Sequence, residues 1–375
     1  RNPPSIMNVL RPTVRDAELE IEAVIDHLFY HANTPAFLAR WLIQRFVTSN
    51  PSPTYVLAVA TAFSEGAFNG TRHSGKYGDL GASVAAVLLH AEARSIVLDL
   101  APTHGKSQEP LLKMTTFMRA MEMQPVDDRE VDLQGLAQRI GMEPYKSETV
   151  FNFYQSDHQP DGPLSLTSRY APEMQLLNTP YLVNFLNGMT SLVRYGLTKC
   201  RHGFGTDAGS TRCGDVDDQR HRIDALLTWT PADNNAESVV DELSLLLTAD
   251  KLHPTARQAI IAAYEDALAT DSVLAAREVA QVLFLAAAEF HVLSQYAPRP
   301  TIRSPRRQDA GGSGRGYKAI VVMFMYGGCD SFNVLVPHSN CNGIDLYEEY
   351  VAVRTDLALP MGDLDAIQDA SGRQP

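Results

Sequence analysis

Apolar residues recur along the first third of the chain at helical spacing. Ile21, Val24, Ile25, Leu28 and Phe29 fall at i, i+3, i+4, i+7 and i+8, which puts five apolar side chains on one stripe of a helix ending near His31. Thr34-Pro35 then supplies a start signal, a hydroxyl for orphan N–H groups followed by a residue of fixed φ, and predicts a second helix running to about Thr48. Phe37, Leu38, Trp41, Leu42, Arg45 and Phe46 cover more than half of its circumference, so it is expected to be buried among several neighbours. Ser52-Pro53 repeats the signal for a third helix carrying Tyr55, Val56, Val59, Ala60 and Phe63 inward.

Helical patterning continues after a glycine-rich loop at Gly66–Gly78. Leu80, Val84, Val87 and Leu88 form one stripe; Ser107 is read as the cap of a helix bearing Leu111, Leu112, Met114, Phe117, Met118 and Met121; Leu133, Leu136 and Ile140 mark a short helix ending at Gly141. The methionines are read as core filler, with a cofactor pocket as the alternative. Helices resume at Pro172 and at Thr179-Pro180, the latter reaching Gly196, and three more are expected at Ala236–Thr248, Pro254–Ala269 and from Ser272 to about Tyr296. Residues 297–316 combine proline, arginine and glycine without apolar period, as a linker does. Beyond them Tyr317–Tyr326 (YKAIVVMFMY) has no polar alternation, the pattern of a buried strand in an α/β sheet, with Cys329-Asp330 at its carboxyl end.

The expected architecture is therefore mainly α, a multi-helix orthogonal bundle over residues 1–298, a linker at 299–316, and the first strand or strands of an α/β domain from 317 to 375. A chain of 375 residues with 45% hydrophobic residues can bury a core of that size. Its formal charge of −12 argues against a nucleic-acid partner, because a phosphate backbone requires a basic face. The longest apolar runs fall far short of the roughly 20 residues a membrane-spanning helix needs, so a soluble protein is expected. Arg1 in place of methionine and the polar end Ser371–Pro375 suggest a processed piece.

Two resemblances rest on longer motifs. LFYHANTPAFLARWLIQRFVTSNPSPTYV, GDLGASVAAVLLHAEAR, HGKSQEPLLKMTTFMRAM, TVFNFYQSDHQPDGPL and YAPEMQLLN closely resemble the bacterial "domain of unknown function 1800" family over about residues 21–295. That resemblance implies a helical, usually exported domain without an established activity, here missing its amino-terminal part. YKAIVVMFMYGGCDSFNVLVP and LYEEYVAVRTDLALP, about residues 317–360, resemble the start of a "domain of unknown function 1501", a family similar to alkaline phosphatases and sulfatases. In that superfamily the first strand delivers an aspartate to a metal, and Asp330 is the matching position, which makes a divalent metal the possible cofactor. Cys329 stands where that family usually has asparagine, and the chain stops before further ligands.

Candidate chemistry is sparse. His27 and His31, with Asp26 beside them, have metal-ligand spacing but no matched third ligand, so an exposed helix face is the simpler reading. The irregular segment Thr149–Pro163 offers Asn152, Asp157, His158 and Asp161 as possible site residues, or else is a loop anchored by Phe151, Phe153 and Tyr154. Four cysteines fall in two local pairs, Cys200 with Cys213 and Cys329 with Cys341, which predicts two disulfides and an extracytoplasmic location. Zinc held by Cys200, His202, Cys213 and His221 is the alternative for the first pair. Asn69-Gly70-Thr71 is a glycosylation sequon consistent with secretion. The leading expectation is a structural or interaction component of a larger exported assembly, with a protein partner or the rest of the parent chain covering residues 317–337. The alternative is a metal-dependent phospho- or sulfoester hydrolase in which Asp330 is the first ligand.

Overall fold

The computed structural model describes residues 11, 13–95, 97–98, 101, 104–126, 131–205, 223–293, 336–337 and 346–364. The chain divides into two units, Arg1–Ile302 and Arg303–Pro375. The first unit is mainly helical: α1 (Val14–Phe29), α2 (Thr34–Phe46), α3 (Pro53–Glu65), α4 (Leu80–Leu89), α5 (Ala91–Arg94), α6 (Pro110–Ala120), α7 (Leu136–Ile140), α8 (Pro163–Leu166), α9 (Thr179–Tyr195), α10 (Ala236–Thr248), α11 (Pro254–Thr270) and α12 (Val273–Ala286). Three two-stranded antiparallel ladders tie it together: β1 (Ala67–Phe68) with β2 (Thr71–Arg72), β3 (Lys106–Ser107) with β6 (Val292–Leu293), and β4 (Met123–Pro125) with β5 (Ala225–Leu227). Among the described residues no helix is long and apolar enough to cross a membrane.

Capping chemistry sets most of the boundaries. Ser52 accepts the Tyr55 N–H at the start of α3, and Gly66, at φ +64°, ends that helix in the left-handed region that glycine tolerates. Asn178 and Asn235 cap α9 and α10 through their side chains in the same way. Within the glycine-rich loop, Asn69 and Gly70 both take positive φ and close the β1–β2 hairpin, the geometry two-residue hairpin turns favour.

The apolar faces pack less simply than their stripes suggest. α1 buries none of its residues, and Ile21, Ile25 and Leu28 are each about 60% exposed. Its last turn is anchored where the Phe29 ring meets Phe63 and Tyr77 edge-on and the Tyr77 hydroxyl donates to the Phe29 carbonyl at 2.8 Å. α2 is not buried all round: Ala39, Ile43 and Gln44 face inward while Phe37, Trp41 and Phe46 stay exposed. Thr34 does not cap it, since its hydroxyl donates to the Leu28 carbonyl at 2.7 Å. In α4 the inward face is Ala82, Ser83, Ala86 and Val87, with Leu80, Val84 and Leu88 outside. Small residues let α3 and α4 approach closely, and packing selects that face over the larger apolar one.

One core joins α2, α3 and α4 through Ala39, Ile43, Tyr55, Val59, Ala62, Ala82, Ala86 and Val87. The larger core is drawn from α6, α7, α9, α10, α11 and α12, and Met114, Met118, Met121 and Met189 are buried in it as filler. The last helix expected from Ser272 to about Tyr296 ends at Ala286, and the chain turns through a 3₁₀ segment, Ala288–His291, into β6. In the second unit α13 (Leu346–Arg354) places Tyr347 and Tyr350 on Leu359: the Tyr347 hydroxyl donates to its carbonyl at 2.9 Å, and the Leu359 N–H donates to the Tyr350 oxygen at 2.8 Å. The strand expected at Tyr317–Tyr326 lies outside the described residues.

Candidate functional site

The irregular segment singled out at Thr149–Pro163 forms one wall of a cleft of about 410 Å³ against α2. Trp41 and Phe46 from α2 face Phe151 and Phe153 across it, and the 3₁₀ turn Pro172–Leu176 contributes Glu173. Trp41, Phe46 and Phe151 are exposed, whereas Tyr154 is buried at the base.

Below the aromatic rim lies a network of charges. Glu109, 1% exposed, precedes Pro110 at the start of α6, and its carboxylate accepts from the Arg45 guanidinium and from the Tyr154 hydroxyl. Arg45 also donates to the Tyr154 oxygen at 3.2 Å. Lys106, on β3, donates to the carbonyls of Gln44 and Arg45 at 2.9 and 2.8 Å and pairs with Glu173 Oε1 at 2.6 Å. The side-chain amide of Gln44 holds the other end of the wall, donating to the Ser49 and Ser156 carbonyls at 3.0 and 3.2 Å. Glu173 Oε2 is buried without a hydrogen-bond partner among the described residues.

Two cations and two carboxylates balance here, with Lys106, Glu109 and Glu173 buried and the Arg45 side chain still 41% exposed. Burial beside Glu173 and Glu109 pushes the Tyr154 hydroxyl far above the ordinary phenol range. It remains a donor and cannot serve as a base near neutral pH. The arrangement shapes and rigidifies a cleft; Arg45 and Tyr154 occupy the Glu109 carboxylate and Lys106 takes one oxygen of Glu173, whose Oε2 is left without a partner among the described residues.

The family model described as "Protein of unknown function (DUF1800)" matches residues 5–292. The chain belongs to that family. No curated protein and no solved structure matches the chain. The DUF1800 match ends at residue 292 and lends no support to the second domain expected from residue 317. It spans the cleft, its charge network and all of the helices α1 to α12.

Of the residues flagged in the Thr149–Pro163 segment, Asn152 lines the cleft, and Phe153 and Tyr154 anchor the loop as expected of them. Phe151 lines the rim but is 65% exposed, so it anchors nothing. Asp157, His158 and Asp161 are not brought to the cleft; the His158 carbonyl accepts the Ala171 N–H at 2.9 Å in a backbone turn. His27 and His31 stand with ring centroids 6.4 Å apart, and His31 Nδ1 accepts the Asn33 N–H. Among the described residues no group of three or more His, Cys, Asp and Glu could hold a metal. Asn69 sits exposed in the β1–β2 turn. Cys200 and His202 follow α9, while Cys213, His221, Cys329, Asp330 and Cys341 lie outside the described residues. Sequence reading missed Arg45, Lys106, Glu109 and Glu173 as a group, because they meet only once three distant segments have folded together. Ser107 was the expected cap of α6, but it lies in β3 and Glu109 takes the cap position, its carboxylate turned away to Arg45 and Tyr154.

Proposed function

We propose that the chain is a binding component of a larger exported assembly, and that it engages a protein partner through the aromatic cleft between α2 and residues 151–156. One observation carries this reading: three large aromatic side chains, Trp41, Phe46 and Phe151, stand exposed around a single cleft whose floor is rigid and charge-compensated. Exposed aromatics grouped over a preformed pocket are the residues that dominate protein interfaces, since they bury large area at low entropic cost. Export is supported by the two local cysteine pairs, proposed as Cys200–Cys213 and Cys329–Cys341 disulfides, by the bonded state of the Cys200 sulfur and by the exposed sequon at Asn69.

The competing reading is a metal-dependent phospho- or sulfoester hydrolase, with residues 317–375 opening an α/β domain and Asp330 as its first metal ligand; it rests on the resemblance of those residues alone. Sizing of native extracytoplasmic material tests the proposal. Wild-type protein should run in a complex well above 41.2 kDa, while Phe46→Glu and Phe151→Ser should release a free, folded chain. A monomeric wild type, or a complex indifferent to both substitutions, overturns it. Turnover of an aryl phosphate or aryl sulfate that is lost in Asp330→Asn would establish the hydrolase instead.

A further inference from the structure

A second groove, of about 510 Å³, opens between α2, the α2–α3 turn and residues 168–170. We propose that it binds a small organic phosphate monoester.

Arg40 and Arg169 line this groove and no acidic residue does. Neither arginine has a carboxylate partner among the described residues, in contrast to Arg45 and Arg257, which are paired with Glu109 and Asp241. Glu92 accepts the Ser52 N–H at 3.0 Å at the start of α3 and is not part of the lining. On a chain of formal charge −12 the long-range field repels anions, so two adjacent uncompensated cations are a local reversal of sign.

The arginines are also held. The Arg40 guanidinium lies over the Tyr170 ring, 4.7 Å from its centroid, a cation–π contact that restrains the head group. Asn50 locks the neighbouring backbone, donating to the Tyr170 carbonyl and accepting the Tyr170 N–H, both at 2.9 Å. Ser168, before the pair, takes φ +53°, a conformation a serine adopts only when its surroundings impose it. Pro51 and Pro53, at the entry to α3, complete the lining.

Charge and shape then select the ligand. Two guanidiniums match the charge of about −2 on a phosphate monoester, with fork geometry suited to its oxygens; a carboxylate would leave one of them unneutralised. Val56, Leu57 and Ala60 give the groove an apolar wall, so the phosphate should carry an apolar body. The volume suits a small molecule.

Isothermal titration of the full chain with hexyl phosphate is the test. Binding is expected, with inorganic phosphate and hexanoate each weaker, and with affinity reduced at least about tenfold in Arg40→Gln and in Arg169→Gln. Arg40→Lys keeps charge but loses the fork and should fall between. Arg40 is exposed, so its variants decide the matter if Arg169→Gln fails to fold. No heat with hexyl phosphate, equal binding of hexanoate, affinity unchanged in Arg40→Gln, or binding to phosphatidic acid vesicles without binding to hexyl phosphate would each overturn the proposal.

Discussion

Lys106 and Glu173 carry opposite charges into the interior, where each costs several kcal/mol to desolvate and is tolerated because the other is present. Glu173→Ala removes one partner and leaves the ammonium with the Gln44 and Arg45 carbonyls as its hydrogen-bond partners among the described residues. Chemical denaturation should show a loss of about 3–5 kcal/mol. The double change Lys106→Met with Glu173→Leu should recover most of that, because a buried pair replaced by apolar side chains of similar size is close to neutral. A single variant as stable as wild type would mean that the pair contributes nothing. Tyr154 was legible in the sequence as an aromatic anchor. Its charged partners were not, because hydrophobic period reports which faces are apolar and carries no information about which distant polar residues converge behind them.

Element starts and stops were the most legible feature, since Ser52-Pro53, Ser272 and Gly141 act through local geometry that neighbouring residues already determine; Thr179-Pro180 marked the start of α9, although its cap is Asn178 one residue earlier. Facing was less legible: α4 turns its small residues inward, and α1 keeps its stripe exposed, because the stripe states what is apolar and not what will cover it. α9 shows the same dependence on context at Gly188. An exposed helical glycine replaced by alanine usually gains roughly 1 kcal/mol of stability. Here a Cβ at Gly188 would lie 2.3 Å from the Phe204 ring, which is itself buried. Overpacking of that kind costs about 1–3 kcal/mol, so contact should outweigh propensity and Gly188→Ala should lower the melting temperature. Pairing it with Phe204→Leu should return part of the loss; a Gly188→Ala variant that melts higher than wild type would show that the helix accommodates the methyl group.

The first unit as a whole is closed by a contact that joins its middle to its end. Lys113 in α6 is buried in the large core, and its ammonium lies 2.9 Å from His291 Nδ1 just ahead of β6; His291 Nε2 meets the Leu285 carbonyl at 2.9 Å. A neutral imidazole donating from Nε2 to that carbonyl and accepting from Lys113 satisfies both hydrogen bonds. Burial and the neighbouring ammonium hold His291 down to about 4, and burial lowers Lys113 to about 8. Between pH 4 and about 6.5 the unfolded chain binds the histidine proton more readily than the folded one, so stability should rise with pH across that window. The histidine contribution is complete above about 6.5 and is lost as pH falls towards 4, on the order of 3 kcal/mol in all. Lys113 acts in the same sense in a higher window, adding stability as pH climbs from about 8 towards 10.5, and at neutral pH it stays charged and carries its burial cost. Denaturation midpoints measured from pH 4 to 7 in wild type and in His291→Gln separate this from the titration of surface carboxylates, which both proteins share. The wild type should lose stability more steeply on acidification, and parallel curves for the two proteins would remove His291 as the cause.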